Sequence, residues 1–185
     1  MTKQESQRGS MTLETAIVLP IFFFLLLFIY SLFGIFSAHN QITHALVQSA
    51  KSLSLDPYIY DETELLGEST FKFWGSLGDI ALNIFRADND EYYMSTTDWY
   101  NQGDGAEAVV RKRFVGYLSG GDENAAQEKL EGLRVIDGLN GIDFTVSVAD
   151  DMLTIKIDYT LKFLFDFWEF GEMPVSQSIQ VKLWK

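Results

Sequence analysis

The distribution of apolar and polar positions changes character three times along the chain. From Thr15 to Ala50 there is no Asp, Glu, Lys or Arg, and the first part of that stretch, Ala16 to Ala38, is dominated by Ile, Leu, Val and Phe. About 20 apolar residues in a helix cross the ~30 Å hydrocarbon core of a bilayer, so this run predicts a transmembrane helix. A cleaved secretory signal fits poorly. Its apolar region is ~7–15 residues long and ends in a small-x-small site, whereas here Phe36 stands two positions before Ala38. Past the run, Ile42, Leu46, Ala50 and Leu53 recur at helical spacing with Val47 beside them, while Asn40, Gln41, Gln48 and Ser52 take other directions. The helix is therefore expected to project as an amphipathic stem to Ser54. It is expected to end at Asp56-Pro57, because proline disfavours helix in the residue before it.

The next segment, Glu62 to Phe85, predicts a second helix with Leu66, Phe73, Leu77, Ile80 and Ile84 on one stripe. Ala87 to Gly105 is polar and predicts a loop. Helices are expected at Ala106–Leu118, where Val110, Phe114 and Leu118 are four apart, and at Asp122–Leu133, following Gly120-Gly121. From Ile142 the period becomes two. Phe144, Val146 and Val148 alternate with polar residues, Asp150-Asp151 interrupts, and Leu153, Ile155, Ile157, Tyr159 and Leu161 resume, which is a hairpin pattern. Ile179, Val181 and Leu183 predict a third strand, with Gly171 and Pro174 punctuating the connection before it. In Phe163-Leu164-Phe165-Asp166-Phe167-Trp168-Glu169-Phe170 both faces are apolar. That favours a strand end tucked beneath a helix over an aromatic surface for a neighbouring subunit. The expected class is α+β: a long N-terminal transmembrane helix, then a small head with helices and a C-terminal antiparallel sheet of about three strands.

Composition narrows the function. Among 185 residues, 14 are Lys or Arg and 26 are Asp or Glu, a formal charge of −12, which argues against nucleic acid. The compact basic cluster Arg111-Lys112-Arg113 reads as a solvated helix face. There is no cysteine, which removes disulfides, thiolate nucleophiles and cysteine metal sites. His39 and His44 lie ~140° apart on a helix and read as polar residues at the membrane edge. Asp88-Asn89-Asp90-Glu91 suggests calcium, but Tyr92 and Tyr93 stand where an EF-hand needs a ligand and Gly, so a solvated acidic loop is expected. No G-x-S-x-G, P-loop or dinucleotide fingerprint occurs. No catalytic residues, metal or cofactor are expected, and the chain is read as not an enzyme. A tethered hydrolase would need a concave site with perturbed acids in the head.

The membrane entry carries the one motif: Arg8-Gly9-Ser10-Met11-Thr12-Leu13-Glu14-Thr15-Ala16. Met1 to Gly9 holds Lys3 and Arg8 against Glu5, while the chain beyond Ala50 is acidic. The positive-inside bias puts the N-terminus in the cytoplasm and the head outside. A carboxylate abutting a membrane span is unfavourable, an Asp at mid-membrane costing ~2.5–3.5 kcal/mol and less near the edge. As a bland account, Glu14 is a first-turn acid favoured by the helix dipole, and Gly9-Ser10 are linker and cap residues. The arrangement also resembles the class III prepilin leader of type IV pilin-like proteins, and most of all the TadE-like minor pseudopilins of the tight-adherence (Tad, Flp-type) pilus, which share a short basic leader, the Glu and a following Pro, here Pro20. The major Flp pilins are very short and commonly carry Tyr after the Glu. The large head and Thr15 of this chain favour the minor, TadE-like class.

The resemblance implies that a prepilin peptidase cuts between Gly9 and Ser10. The chain then divides into a leader (1–9), a transmembrane and stem helix (10–55) and an extracytoplasmic α+β head (56–185). It implies partners in the prepilin peptidase, other pilins and pseudopilins, and the inner-membrane assembly platform. It places the protein as a single-pass protein of the bacterial cytoplasmic membrane or the pilus. Cleavage would free an α-amino group on Ser10 with a reference pKa of ~7.7–8.0. Glu14 of one chain can neutralise the Ser10 amine of a neighbour, which favours one helix register over others. The alternative is an uncleaved, membrane-anchored extracytoplasmic binding domain, in which Gly9 and Glu14 are replaceable.

Overall fold

A computed structural model describes residues 3–66, 92, 98–102, 105–164 and 171–184, with the backbone alone at 3–13, 59–66, 101 and 102. The fold is α+β. Helix α1 is Lys3–Leu66, α2 is Trp99–Gln102, α3 is Ala106–Ser119 and α4 is Glu123–Gly132; a 3-10 turn at Gly138–Gly141 leads into strands β1 (Asp143–Ala149), β2 (Met152–Lys162) and β3 (Glu172–Lys182).

Helix α1 is longer than the sequence predicts. It passes through Pro20 and Pro57 and runs 64 residues, about 96 Å at 1.5 Å per residue. Pro57 has no N–H to give the Leu53 carbonyl, which ordinarily ends or kinks a helix. Here bonds from outside the helix hold the turn that leads into the proline. The Ser54 carbonyl accepts the Trp184 N–H at 3.0 Å, and the side chain of Asp56 is buried in an ion pair. Tertiary contacts thus override the local preference, and α1 crosses the boundary expected at residue 55. Of the expected helix Glu62–Phe85, the residues up to Leu66 are the end of α1. Its remainder lies outside the described residues, as do Asp88–Glu91 and Phe165–Phe170. Within the expected loop, Trp99–Gln102 is helical, and Trp99 and Tyr100 are buried with their rings edge to face at 5.8 Å.

Where local chemistry is strong, the elements follow it. Asp122 caps α4, its carboxylate accepting from the N–H groups of Asn124 and Ala125 at 2.9 and 3.0 Å. Helix α3 ends at Gly120, whose φ of 74° is the left-handed cap conformation, and its N–H returns to the Gly116 carbonyl. Asp150 and Asp151 both take positive φ, 50° and 61°. A two-residue hairpin turn matched to strand twist requires this, and Asp tolerates it better than most side chains.

The sheet order is β1-β2-β3, antiparallel throughout. Strand β2 is central, and its Leu153, Ile155, Ile157, Tyr159 and Leu161 are all buried on one face. Pro174, read as punctuation, lies within β3. Proline lacks a donor but is tolerated in a strand that is paired on one side, and among the described residues β3 pairs only with β2. The sheet's apolar face packs on α1 through Ala38, Ile42, Leu46, Ala50 and Leu53, and on α3 through Val110, Phe114 and Leu118. Phe114 meets Phe144 edge to face at 5.5 Å.

Three hydrogen bonds set the direction of the sheet along α1. The Leu164 N–H donates to Ser31 Oγ at 3.1 Å. Gln177 Nε2 lies 2.7 Å from His39 Nδ1, and the Trp184 N–H reaches the Ser54 carbonyl. Strand β3 therefore runs alongside α1 in the same direction. The Asp150-Asp151 turn lies at the far end of the head. The end of β2 and the start of β3 lie at the end nearest the apolar run.

Candidate functional site

Every side chain from Ile17 to Tyr30 is exposed, Phe22 to Phe24 at 55–56%. Among the described residues this is one helix long and apolar enough to cross a membrane. It fits a single-pass membrane anchor, because exposed apolar surface on this scale needs an apolar surrounding. Glu14, exposed, stands at its N-terminal edge. Gly9 and Ser10 lie in the helical backbone of α1, so Ser10 and Glu14 are four residues, one helical turn, apart on one face.

From Ser31 onward one face of the same helix is covered by the head: Ser31, Ala38, Ile42, Ala45, Leu46, Ser49, Ala50 and Leu53 are all 2% exposed or less. Two polar clusters fix this seat. In the first, Gln177 Nε2 donates to Tyr159 Oη and His39 Nδ1, both at 2.7 Å, and Gln177 Oε1 accepts from Thr43 Oγ1 at 3.0 Å. Both amide hydrogens and the carbonyl oxygen of one glutamine are used, which joins β3, β2 and α1 at a single point. With Nδ1 accepting, the His39 ring proton is assigned to Nε2. Burial pushes the Tyr159 phenol up to about 12, against the opposing hydrogen bond from Gln177. Thr43 also bonds the His39 carbonyl at 2.7 Å. The two histidines thus differ: His39 belongs to the joint, and His44 is exposed.

The second cluster surrounds Asp56. Its Oδ2 accepts from Arg113 at 2.7 Å and from the Trp99 indole at 3.1 Å, while Arg113 also donates to Ser52 Oγ. Asp56 and Arg113 are each 2% exposed. The pair ties α1, α2 and α3 together beside Pro57. Burial pushes the Asp56 carboxyl up to about 6, against the opposing pull of Arg113 and the hydrogen bonds from Trp99 and Arg113. This corrects the reading of Arg111-Lys112-Arg113 as a solvated face. Arg111 does bond Asn140 at the surface, but Arg113 points into the core. The signal was present in the spacing, since Arg113 sits three residues after Val110 and next to Phe114, on the buried stripe of α3.

The site is thus a long helix whose stretch from Thr15 to Tyr30 is uncharged and exposed and whose continuation from Ser31 is locked into a head. A model of the TadE-like protein family matches residues 9–51. The N-terminal segment is TadE-like. The TadE-like segment opens on Gly9, contains Glu14 and the whole apolar run, and extends through the seat residues Ile42, Leu46 and Ala50. It stops short of Asp56 and of everything that packs against it. Neither the curated proteins nor the solved structures contain a match to the chain. The matched segment is similar to the TadE-like family, and the exposed apolar helix fits a single-pass membrane anchor.

Proposed function

We propose that this chain is a minor pseudopilin that assists assembly of a Tad-type pilus, made as a precursor and cleaved by a prepilin peptidase after Gly9. The observation that carries the reading is the position of the family match. It begins at Gly9 and runs without interruption across Glu14 and the apolar helix, the segment in which a leader boundary, a register-setting carboxylate and a shared helix bundle would have to lie. The work of such a protein is packing and not catalysis. Apolar helices associate side by side, and Glu14 and the freed Ser10 amine of neighbouring chains select one register. The two-cluster joint supports this reading, because a subunit that hands load from a bundled helix to an external head needs the two rigidly connected. The head would face outward, the basic leader holding the N-terminus in the cytoplasm. In that setting the partners are the prepilin peptidase, other pilins and pseudopilins, and the inner-membrane assembly platform.

Mass spectrometry of the N-terminal peptide, on protein recovered from native membranes, tests the proposal. A chain beginning at Ser10, with the cut lost on Gly9→Ala, is the expected result. A chain beginning at Met1 or Thr2 would sink it in favour of an uncleaved membrane-anchored domain.

A further inference from the structure

The head does not begin where the apolar run ends. Counting ~20 residues for the hydrocarbon core from Thr15, the first position after Glu14, places its outer edge near Gly34. Ser31 lies three residues earlier, about 4–5 Å deeper at 1.5 Å per residue, and it is already covered by the head through Leu164. The end of β2 therefore reaches the depth of the outer leaflet. Leu164 keeps 39% of its surface exposed there, and on α1 just beyond Ser31 the side chains of Leu32, Phe33 and Phe36 are 43%, 69% and 62% exposed.

At the described end of β2 the Phe163 and Leu164 donors are satisfied within the protein, as a low-dielectric medium requires. The Phe163 N–H donates to the Gly171 carbonyl at 2.8 Å, and the Leu164 N–H to Ser31 Oγ. The Ser31 hydroxyl, which lipid alone could not satisfy, is used by the same bond. One step above, at the depth expected for headgroups, the side chains turn charged. Lys162 is exposed, its N–H bonds the Arg134 carbonyl at 2.9 Å, and its partner across the sheet is Glu172. At the opposite end of β2, about 40 Å away at 3.3 Å per residue, lies the acidic Asp150-Asp151 turn.

We propose that the membrane-proximal end of the head, at Phe163 and Leu164, is seated in the interface of the outer leaflet, so that the protein contacts the bilayer at a second, monotopic site beside its spanning helix. Aromatic and apolar side chains favour that depth, with long cationic stems above them reaching the headgroups. The contact fixes the head's orientation over the membrane before any partner is met. It requires α1 to be inserted in a bilayer, and it is independent of cleavage after Gly9.

Because the chain has no cysteine, single cysteines can be placed and spin-labelled in the full-length protein, in vesicles of phosphatidylethanolamine and phosphatidylglycerol. Suitable positions are Met152, Lys156, Lys162 and Leu164, with Phe28 as the lipid reference. The readout is the ratio of accessibility to oxygen, which concentrates in lipid, over a water-soluble nickel chelate. The expected result is a ratio rising along the ladder, several-fold higher at Leu164 than at Met152. Should Leu164→Cys fold poorly, the exposed Lys162 position still reads the gradient. Equal, water-like ratios at Leu164 and Met152 with a lipid-like Phe28 would overturn the proposal and leave the anchor intact. Low access of both reagents at Leu164 would overturn it in favour of a protein cover. A water-like Phe28 would remove the membrane insertion on which it depends.

Discussion

Asp56 and Arg113 form an ion pair at 2.7 Å with both side chains almost fully withdrawn from solvent, and Asp56 stands one residue before a proline that α1 passes through near its C-terminal end. Its strength and its position explain each other. Continuing α1 past Pro57 costs a backbone hydrogen bond, and the pair supplies bonds to two further elements at the same level.

Removing one partner leaves the other charged and buried. Arg113→Met is expected to destabilise the protein by ~3–5 kcal/mol, whereas the double replacement Asp56→Leu, Arg113→Met should restore most of the loss. Denaturant titration in detergent, followed by tryptophan fluorescence, checks this, since Trp99 reports the same site.

The elevated pKa of Asp56 sets a pH dependence with a definite sign. The folded protein holds this proton up to about 6, while the unfolded chain releases it near the ordinary value of 3.8. Between those values the native state binds more protons, so this group's contribution to stability falls as pH rises through the window and is flat above it. The full difference is on the order of 2–3 kcal/mol. The other carboxyls contribute their own slopes, so the measurement is the difference between the wild-type protein and Asp56→Asn across pH 4 to 7. No difference in slope would remove the assignment.

Gln177 has every polar group of its amide in use. Tyr159→Phe removes one acceptor and should cost ~1 kcal/mol, whereas Gln177→Leu takes a partner from each of His39, Thr43 and Tyr159 at once and should cost ~2–3 kcal/mol. Ultraviolet difference titration of the wild-type protein against Tyr159→Phe should find this phenol ionising near 12, above an ordinary tyrosine at ~10.

Asp143 and Asp158 are direct cross-strand partners. The hydrogen bonds from Lys156 and Ser176, with the Lys156 charge beside them, hold the Asp158 carboxyl below the usual range. Like charges directly opposite one another weaken a sheet, so Asp143→Lys should stabilise the protein by ~0.2–1 kcal/mol, read as a raised midpoint in thermal unfolding. An unchanged or lowered midpoint would show that the pair is already screened by solvent.

The apolar run, the α3 and α4 helices, the hairpin and the α+β class were legible in the chain because each rests on local physics. A bilayer-length stretch without charge, a 3.6 or 2.0 period, a cap at Asp122 and two adjacent acids in a turn act on neighbouring residues alone. The segment that opens on Gly9 and holds Ser10 and Glu14 could be matched to the TadE-like family for the same reason, being a pattern within one short stretch. What the tertiary structure alone decided concerns residues far apart in sequence. It carried α1 through Pro57 because Arg113, Trp99 and Trp184 supply bonds that no local rule can see. It turned Arg113 inward because its partner lies 57 positions away. It separated His39 from His44 by placing Gln177, 138 positions on, opposite only one of them. It also brought the end of β2 down to Ser31, so that the head docks on the helix before the hydrophobic run stops.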